Sequence, residues 1–165
     1  MIAEQGNHIT DTRRRHKNRV GKTAIAAWHN GGQTGAFIRD DNRAQFLSQL
    51  GFVPTGGLSE MDAPNGFYAT FSHEYLSPLD VDVLLWISGF DSAEDIVNLP
   101  IRRTLAVHRQ GRGIFAGPLV PGALSFDNIL SLPFALNEVE QDLVAAIDGD
   151  PTTPVRSAKL AGLAP

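Results

Sequence analysis

Residues 66–90, GFYATFSHEYLSPLDVDVLLWISGF, decide the fold. Phe67, Ala69 and Phe71 alternate with Tyr68, Thr70 and Ser72, the period of a strand with one buried face. Ser72 is placed to cap a short helix starting near His73, with Glu74 in its first turn, where the helix dipole favours an acid. Val81-Asp82-Val83-Leu84-Leu85-Trp86-Ile87 is then almost continuously apolar, as in a strand covered on both faces. Strand, helix, strand make one βαβ unit, so residues 66–72 and 81–87 are expected as adjacent parallel strands with a right-handed crossover.

Working outward, Thr23 to Trp28 reads as the first strand and Gly31 to Gly35 as a turn into a second, Ala36 to Arg39. Asp40 or Asp41 caps a helix running to Leu50, and Gly51 ends it. Residues 53–66 are rich in Gly and Pro and read as loop. A helix is expected over Ser92 to Val97, strands over Thr104 to Arg109 and Ile114 to Ala116, and a long helix over Ser131 to Ile147. In that helix Leu132, Ala135, Leu136, Val139, Leu143 and Ile147 share one face. The expected architecture is α/β, a three-layer αβα sandwich whose mostly parallel sheet carries helices on both faces. Residues 1–22 form a basic segment at a helix end, 23–148 the folded lobe, and 149–165 a Pro- and Thr-rich tail that frays.

A chain of 165 residues, 42% hydrophobic and 19% charged, suits one globular domain. A net charge of −4 argues against nucleic acid as the main partner. With no cysteine, disulfides and thiolate metal sites are excluded. No apolar run is long enough to span a bilayer, and no signal peptide is read at Met1. The one strong charge run, Arg13 to Arg19, reads first as a solvated helix end. Its alternative is a partner-binding tail for nucleic acid or an anionic membrane.

Catalytic signatures are missing from the sequence. Ser72, His73 and Glu74 are consecutive, so their side chains diverge and cannot form a triad. His8, His16, His29, His73 and His108 show no metal-ligand spacing. Gly21-Lys22-Thr23 lacks the upstream glycine of a phosphate-binding loop, and Gly111-Arg112-Gly113 falls between two expected strands, not before a helix. Binding is better supported, because ligands of open α/β sheets sit beyond strand carboxyl ends. Trp28 ends the first strand, with the core as its alternative place. Arg39 ends the second, where its planar fork suits carboxylate or hydroxamate oxygens, or pairs with Asp40 or Asp41.

Several blocks together resemble the second lobe of a substrate-binding protein for ABC importers of ferric siderophores, haem and cobalamin. They are Gly21-Lys22-Thr23 before a strand, Phe46-Leu47-x-x-Leu50-Gly51-Phe52, Ser72-x-Glu74-x-Leu76, Leu79-Asp80-x-Asp82-Val83-Leu84-Leu85 and Gly122-Ala123-Leu124-Ser125. The resemblance spans about residues 20–147 and implies a lobe whose N-terminal companion is missing from this chain. It implies extracytoplasmic capture of a ferric siderophore, no reaction and no cofactor, and delivery to an ABC transporter permease. It places Asn65, Phe67 and Tyr68 on the cleft, with Leu119 in the loop where the family often has aromatics. Glu74 becomes the acid that docks to permease arginines. The alternatives are haem or cobalamin as ligand, or a chelatase-like metal-insertion enzyme on the same architecture, which two inward histidines at one strand end would favour.

Overall fold

The computed structural model describes residues 2–38, 40–59, 61, 63, 66–87, 93–126 and 131–163. Five strands form one sheet: β1 (Ala24–Asn30), β2 (Gln33–Phe37), β3 (Tyr68–Phe71), β4 (Val83–Trp86) and β5 (Gly113–Phe115), in the order β3-β2-β1-β4-β5. The helices are α1 (Ile2–Arg15), α2 (Asn42–Gln49), α3 (Gly56–Ser59), α4 (Ala93–Val97), α5 (Ala106–Arg109), α6 (Val120–Phe126), α7 (Ser131–Ala146) and α8 (Arg156–Leu160).

The sheet is mixed. β1 pairs parallel with β4 and β4 with β5, whereas β2 is antiparallel to both β1 and β3. Four of the five strands therefore point the same way, and only β2 runs against them. This corrects the expected adjacency of the segments around β3 and β4. Gly31 and Gly32, at φ 57° and 76°, make a two-residue hairpin turn that lays β2 beside β1. One side of β1 is thereby occupied, so β4 takes the other and β3 is left to extend the sheet from β2.

The connection from β3 to β4 also differs from the expected helix. Residues 73 and 74 form a turn, closed by Tyr75 N–H donating to Ser72 O, and a short 3₁₀ turn follows at Ser77–Leu79. Pro78 explains this: an α-helix from His73 would need a Pro78 N–H to bond Glu74 O, and proline has none. Its buried Leu76 and Leu79 tie the crossover to the core.

Helix α2 starts as expected, with Asp41 accepting from Arg43 N–H at 2.9 Å. It packs on the sheet face of Ala24, Ala26 and Phe37, in one layer with α1, α6 and α7. Helix α5 and the segment to Leu163 cover the opposite face at Leu84 and Trp86, with α4 and α8 in that layer. Buried alanines at 24, 26, 27, 36 and 69 let the helices approach the sheet closely. In α7 the expected face is buried, with Leu132 only partly so.

Two segments read differently from expectation. Residues 104–109 form no strand: a 3₁₀ turn ends at Thr104 and Ala106–Arg109 is helical, because Asp80 accepts from the Ala106 and Val107 amides at 3.1 and 2.8 Å and caps α5 from a distance. The tail is folded as far as Leu163: α8 forms there, and Val155, Ala158 and Leu163 are buried. Arg102 holds this end, donating to Leu163 O, Ile96 O and Val97 O. Burial pushes its pKa down to about 10, which still leaves it charged at neutral pH.

At the other terminus, Arg13, Arg14, Arg15 and Lys17 are exposed as expected, but Arg19 is fully buried. Its Nη1 donates to Glu140 Oε2 at 2.9 Å, and His16 Nε2 lies 2.8 Å from Glu140 Oε1. One carboxylate of α7 thus fastens the chain leaving α1.

Candidate ligand-binding site

The strand register decides which side chains share a face. Trp28 lies opposite Gly35, Gly35 opposite Thr70, and Phe37 opposite Tyr68. Trp28, Phe37, Tyr68 and Thr70 therefore stand on one side of the sheet at its β3 edge. The Trp28 and Tyr68 rings meet edge to face, centroids 5.9 Å apart at 83°. The indole crosses Gly35, where an added Cβ would lie 2.5 Å from Trp28 Cζ2. A glycine inside the strand is what lets the indole lie flat along the sheet.

Arg43 of α2 borders this aromatic wall. Its guanidinium carbon sits 3.8 Å from the centre of the Phe37 ring. Asp41 holds it from both oxygens, at 2.7 Å to Nε and 2.8 Å to Nη2, while Nη1 reaches Ser125 Oγ at 3.2 Å. Such a two-pronged pair fixes the cation's direction and offsets its charge locally. The wall offers ring faces and edges for apolar or π contact, with one oriented guanidinium beside them.

Of the residues singled out in the sequence, Trp28 is half-buried in this wall and Tyr68 joins it. Phe67 is 51% exposed just before β3, so the alternation that buries Ala69 and Phe71 stops short of it. Leu119 is 64% exposed in the turn after β5, at the opposite end of α6 from Ser125. Glu74 is exposed in the turn beyond β3. Arg39 and Asn65 lie outside the described residues. Sequence reasoning missed Phe37, Arg43, Gly35 and Ser125. Gly35 was the available signal, since a glycine in a strand marks a close approach.

The other face carries a second constellation. His29 is buried, its Nδ1 2.8 Å from Thr34 Oγ1, and its ring meets that of His73 edge to face at 5.9 Å. Burial lowers the pKa of His29, and His73 lowers it further, with Asp95 partly opposing. Among the described residues no group of three or more His, Cys, Asp or Glu is arranged to hold a metal ion. No described helix is long and apolar enough to cross a membrane.

The fold, a mixed five-stranded sheet between helical layers, is that of about half of several solved solute-binding proteins. Comparison with protein-family models gave no match, and comparison with curated proteins gave none either. Comparison with solved structures gave several. A periplasmic solute-binding protein of Mycobacterium smegmatis is 24% identical with TM-score 0.72, over 88% of this chain and 49% of that one. The PiaA protein of Streptococcus pneumoniae, in complex with ferrichrome, is 20% identical with TM-score 0.72, over 90% and 52%. The FhuD protein of Vibrio cholerae, a siderophore-binding protein with Fe3+-Desferal bound, is 12% identical with TM-score 0.65, over 88% and 53%. The chain thus has the fold of these proteins and spans about half of their length.

Proposed function

We propose that this chain is one lobe of an extracytoplasmic protein that captures a ferric siderophore and delivers it to an ABC importer. The aromatic wall of Trp28, Phe37 and Tyr68, bordered by Arg43, carries this reading. Siderophore chelates present a bulky, weakly polar outer surface, which rings contact well and a single oriented cation steers. The solved structures support it, since half of each matches this chain and two were determined with ferrichrome or Desferal. Binding needs no catalytic group from this lobe. Glu74, exposed beyond β3, is the acid this reading assigns to the permease contact.

One lobe supplies one wall, and affinity depends on enclosing most of the ligand. Titration of this chain with ferrichrome, ferrioxamine, haem and cobalamin, followed by Trp28 fluorescence, is expected to show weak binding or none. Submicromolar binding by the chain alone would refute the two-lobe reading. The complete reading frame supplies the complementary test, because the proposal requires a companion lobe upstream.

A second reading, a metal-insertion enzyme on this architecture, draws on the His29–His73 pair. Metallation of a porphyrin by this chain, lost in His29→Ala, would favour it over capture of a chelate.

A further inference from the structure

Residues 13–22 hold six of the fourteen Lys and Arg and none of the eighteen Asp and Glu. They carry a formal +6 while the rest of the chain carries −10, so the molecule is electrically polarised. The segment lies at the amino end of β1, whereas Glu74 follows the carboxyl end of β3 and Glu94 and Asp95 begin α4, after β4. These six cations are therefore gathered where β1 begins, an end of the strands that also carries Asp80 and Asp82 ahead of β4.

Two of these six cations are engaged, Arg19 by Glu140 and Lys22 in the field of Asp82. Arg13, Arg14, Arg15 and Lys17 remain exposed, and among described carboxylates only Asp11 pairs with one of them, Arg14, at 3.7 Å. Successive helical residues are turned about 100° apart, so Arg13, Arg14 and Arg15 spread around the last turn of α1, with Lys17 in the 3₁₀ turn beyond it. Apolar residues border them, Val20 within the segment and Val53 through its N–H, which donates to Lys22 O. Val20 is 51% exposed and Val53 is 40% exposed. Val20 and Arg13 both pass close to Gly51, where an added Cβ would lie 3.2 Å from Val20 Cγ2 and 3.5 Å from Arg13 Nε.

From this juxtaposition we infer that the α1 end, through Arg13, Arg14, Arg15 and Lys17 with Val20 and Val53, is a docking surface for an anionic lipid bilayer. A thread-like polyanion is best held in a groove, whereas cations spread around a helix end suit an extended surface. Exposed valines beside cations match the way peripheral proteins pair charge attraction with shallow apolar insertion. The acidic remainder of the chain turns this end toward such a surface from a distance. The contact uses none of the residues assigned to siderophore capture, and because it lies at the opposite end of the strands from Glu74 it is made when Glu74 is not docked to a permease in the same bilayer.

Co-sedimentation of the chain with phosphatidylglycerol-containing vesicles, against vesicles of phosphatidylcholine alone, tests the inference. Binding is expected to the first only, to fall steeply with salt, and to weaken about fivefold for each cation removed. The quadruple variant R13Q/R14Q/R15Q/K17Q should stay in solution, while R13K/R14K/R15K should still bind, showing that point charge is what matters. Val20→Ser should weaken binding without changing its salt dependence. Equal binding to neutral vesicles, retention of binding by the quadruple variant, or binding to duplex DNA as strong as to vesicles would each overturn the assignment.

Discussion

The indole of Trp28 lies across Gly35 so closely that a Cβ at position 35 would stand 2.5 Å from Cζ2 and 2.6 Å from the Ala69 carbonyl oxygen. Strand β2 is thus pinched between a side chain from β1 and the backbone of β3. The aromatic wall exists because residue 35 has no side chain.

Gly35→Ala should therefore displace Trp28 and loosen the β2–β3 edge. Overpacking of this kind costs about 1–3 kcal/mol, and the rigid Ala69 carbonyl points to the upper end of that range. Intrinsic fluorescence should shift, since Trp86 is deeply buried and Trp28 is the indole that moves. Adding Trp28→Ala should recover only part of the loss, because the backbone contact remains. Unchanged urea denaturation and emission in Gly35→Ala would refute the close packing.

The buried Arg19 makes a different prediction. Glu140 is its carboxylate partner, at 2.9 Å, and the guanidinium is fully enclosed. Removing one member of a buried pair leaves an uncompensated charge and costs about 3–5 kcal/mol. Glu140 is itself partly exposed, which places Glu140→Ala near the lower end. The double variant R19M/E140M should regain most of the stability, because neither charge then needs compensation. Urea denaturation of the two variants checks this, and equal stability would show that the pair matters little.

His108 gives a pH dependence. Burial lowers its pKa, the Arg102 charge lowers it further, and Arg103 and Arg109 add to this, while a hydrogen bond to the Leu163 backbone partly opposes. Its Nδ1 lies 2.8 Å from Arg102 Nη1, so neutral imidazole accepts there and imidazolium cannot. The folded state therefore prefers the neutral ring. Stability from this preference is complete above the ordinary histidine pKa of about 6.5, and is lost as pH falls through the lower folded value. The melting temperature of the wild type should drop between pH 7.5 and 5, and His108→Gln should drop less. Part of the decline should persist in that variant, because His29 shifts in the same direction. Identical pH profiles would rule out the role of His108.

These residues also show which parts of the structure could be read from sequence. The strand of Val83 to Trp86, the α2 helix behind Asp41 and the apolar face of α7 are set by local pattern, and all three appear as expected. The order of strands was not legible, because it depends on which side of β1 the Gly31-Gly32 hairpin occupies. Helices α5 and α8 were hidden for a related reason. Asp80, 26 residues upstream, caps the first, and Asp142 accepts from Ser157 N–H at 3.4 Å near the start of the second. At the site, Trp28 stood out as an aromatic at a strand end, and the family resemblance pointed to Tyr68. Phe37 and Arg43 did not, since only the β2–β3 register and the packing of α2 bring them to the wall.

Glu74 tests the proposed delivery step. It is exposed in the turn beyond β3, with Ser72 O and Tyr75 N–H closing the backbone around it, and no described ion pair holds it. Charges at such a rim affect encounter with a partner more than folding, since exposed pairs contribute about 0–1 kcal/mol to stability. In the two-lobed protein that the proposed function implies, Glu74→Ala should leave melting temperature and siderophore affinity nearly unchanged while binding to the reconstituted permease falls. Raising salt should weaken the wild-type contact and narrow its advantage over the variant, as screening predicts. Glu74→Lys should bind more poorly than Glu74→Ala, because it sets a like charge against permease arginines. Permease binding that is unchanged in Glu74→Lys, measured on folded protein of wild-type siderophore affinity, would remove Glu74 from the docking surface and leave the ligand-binding wall untouched.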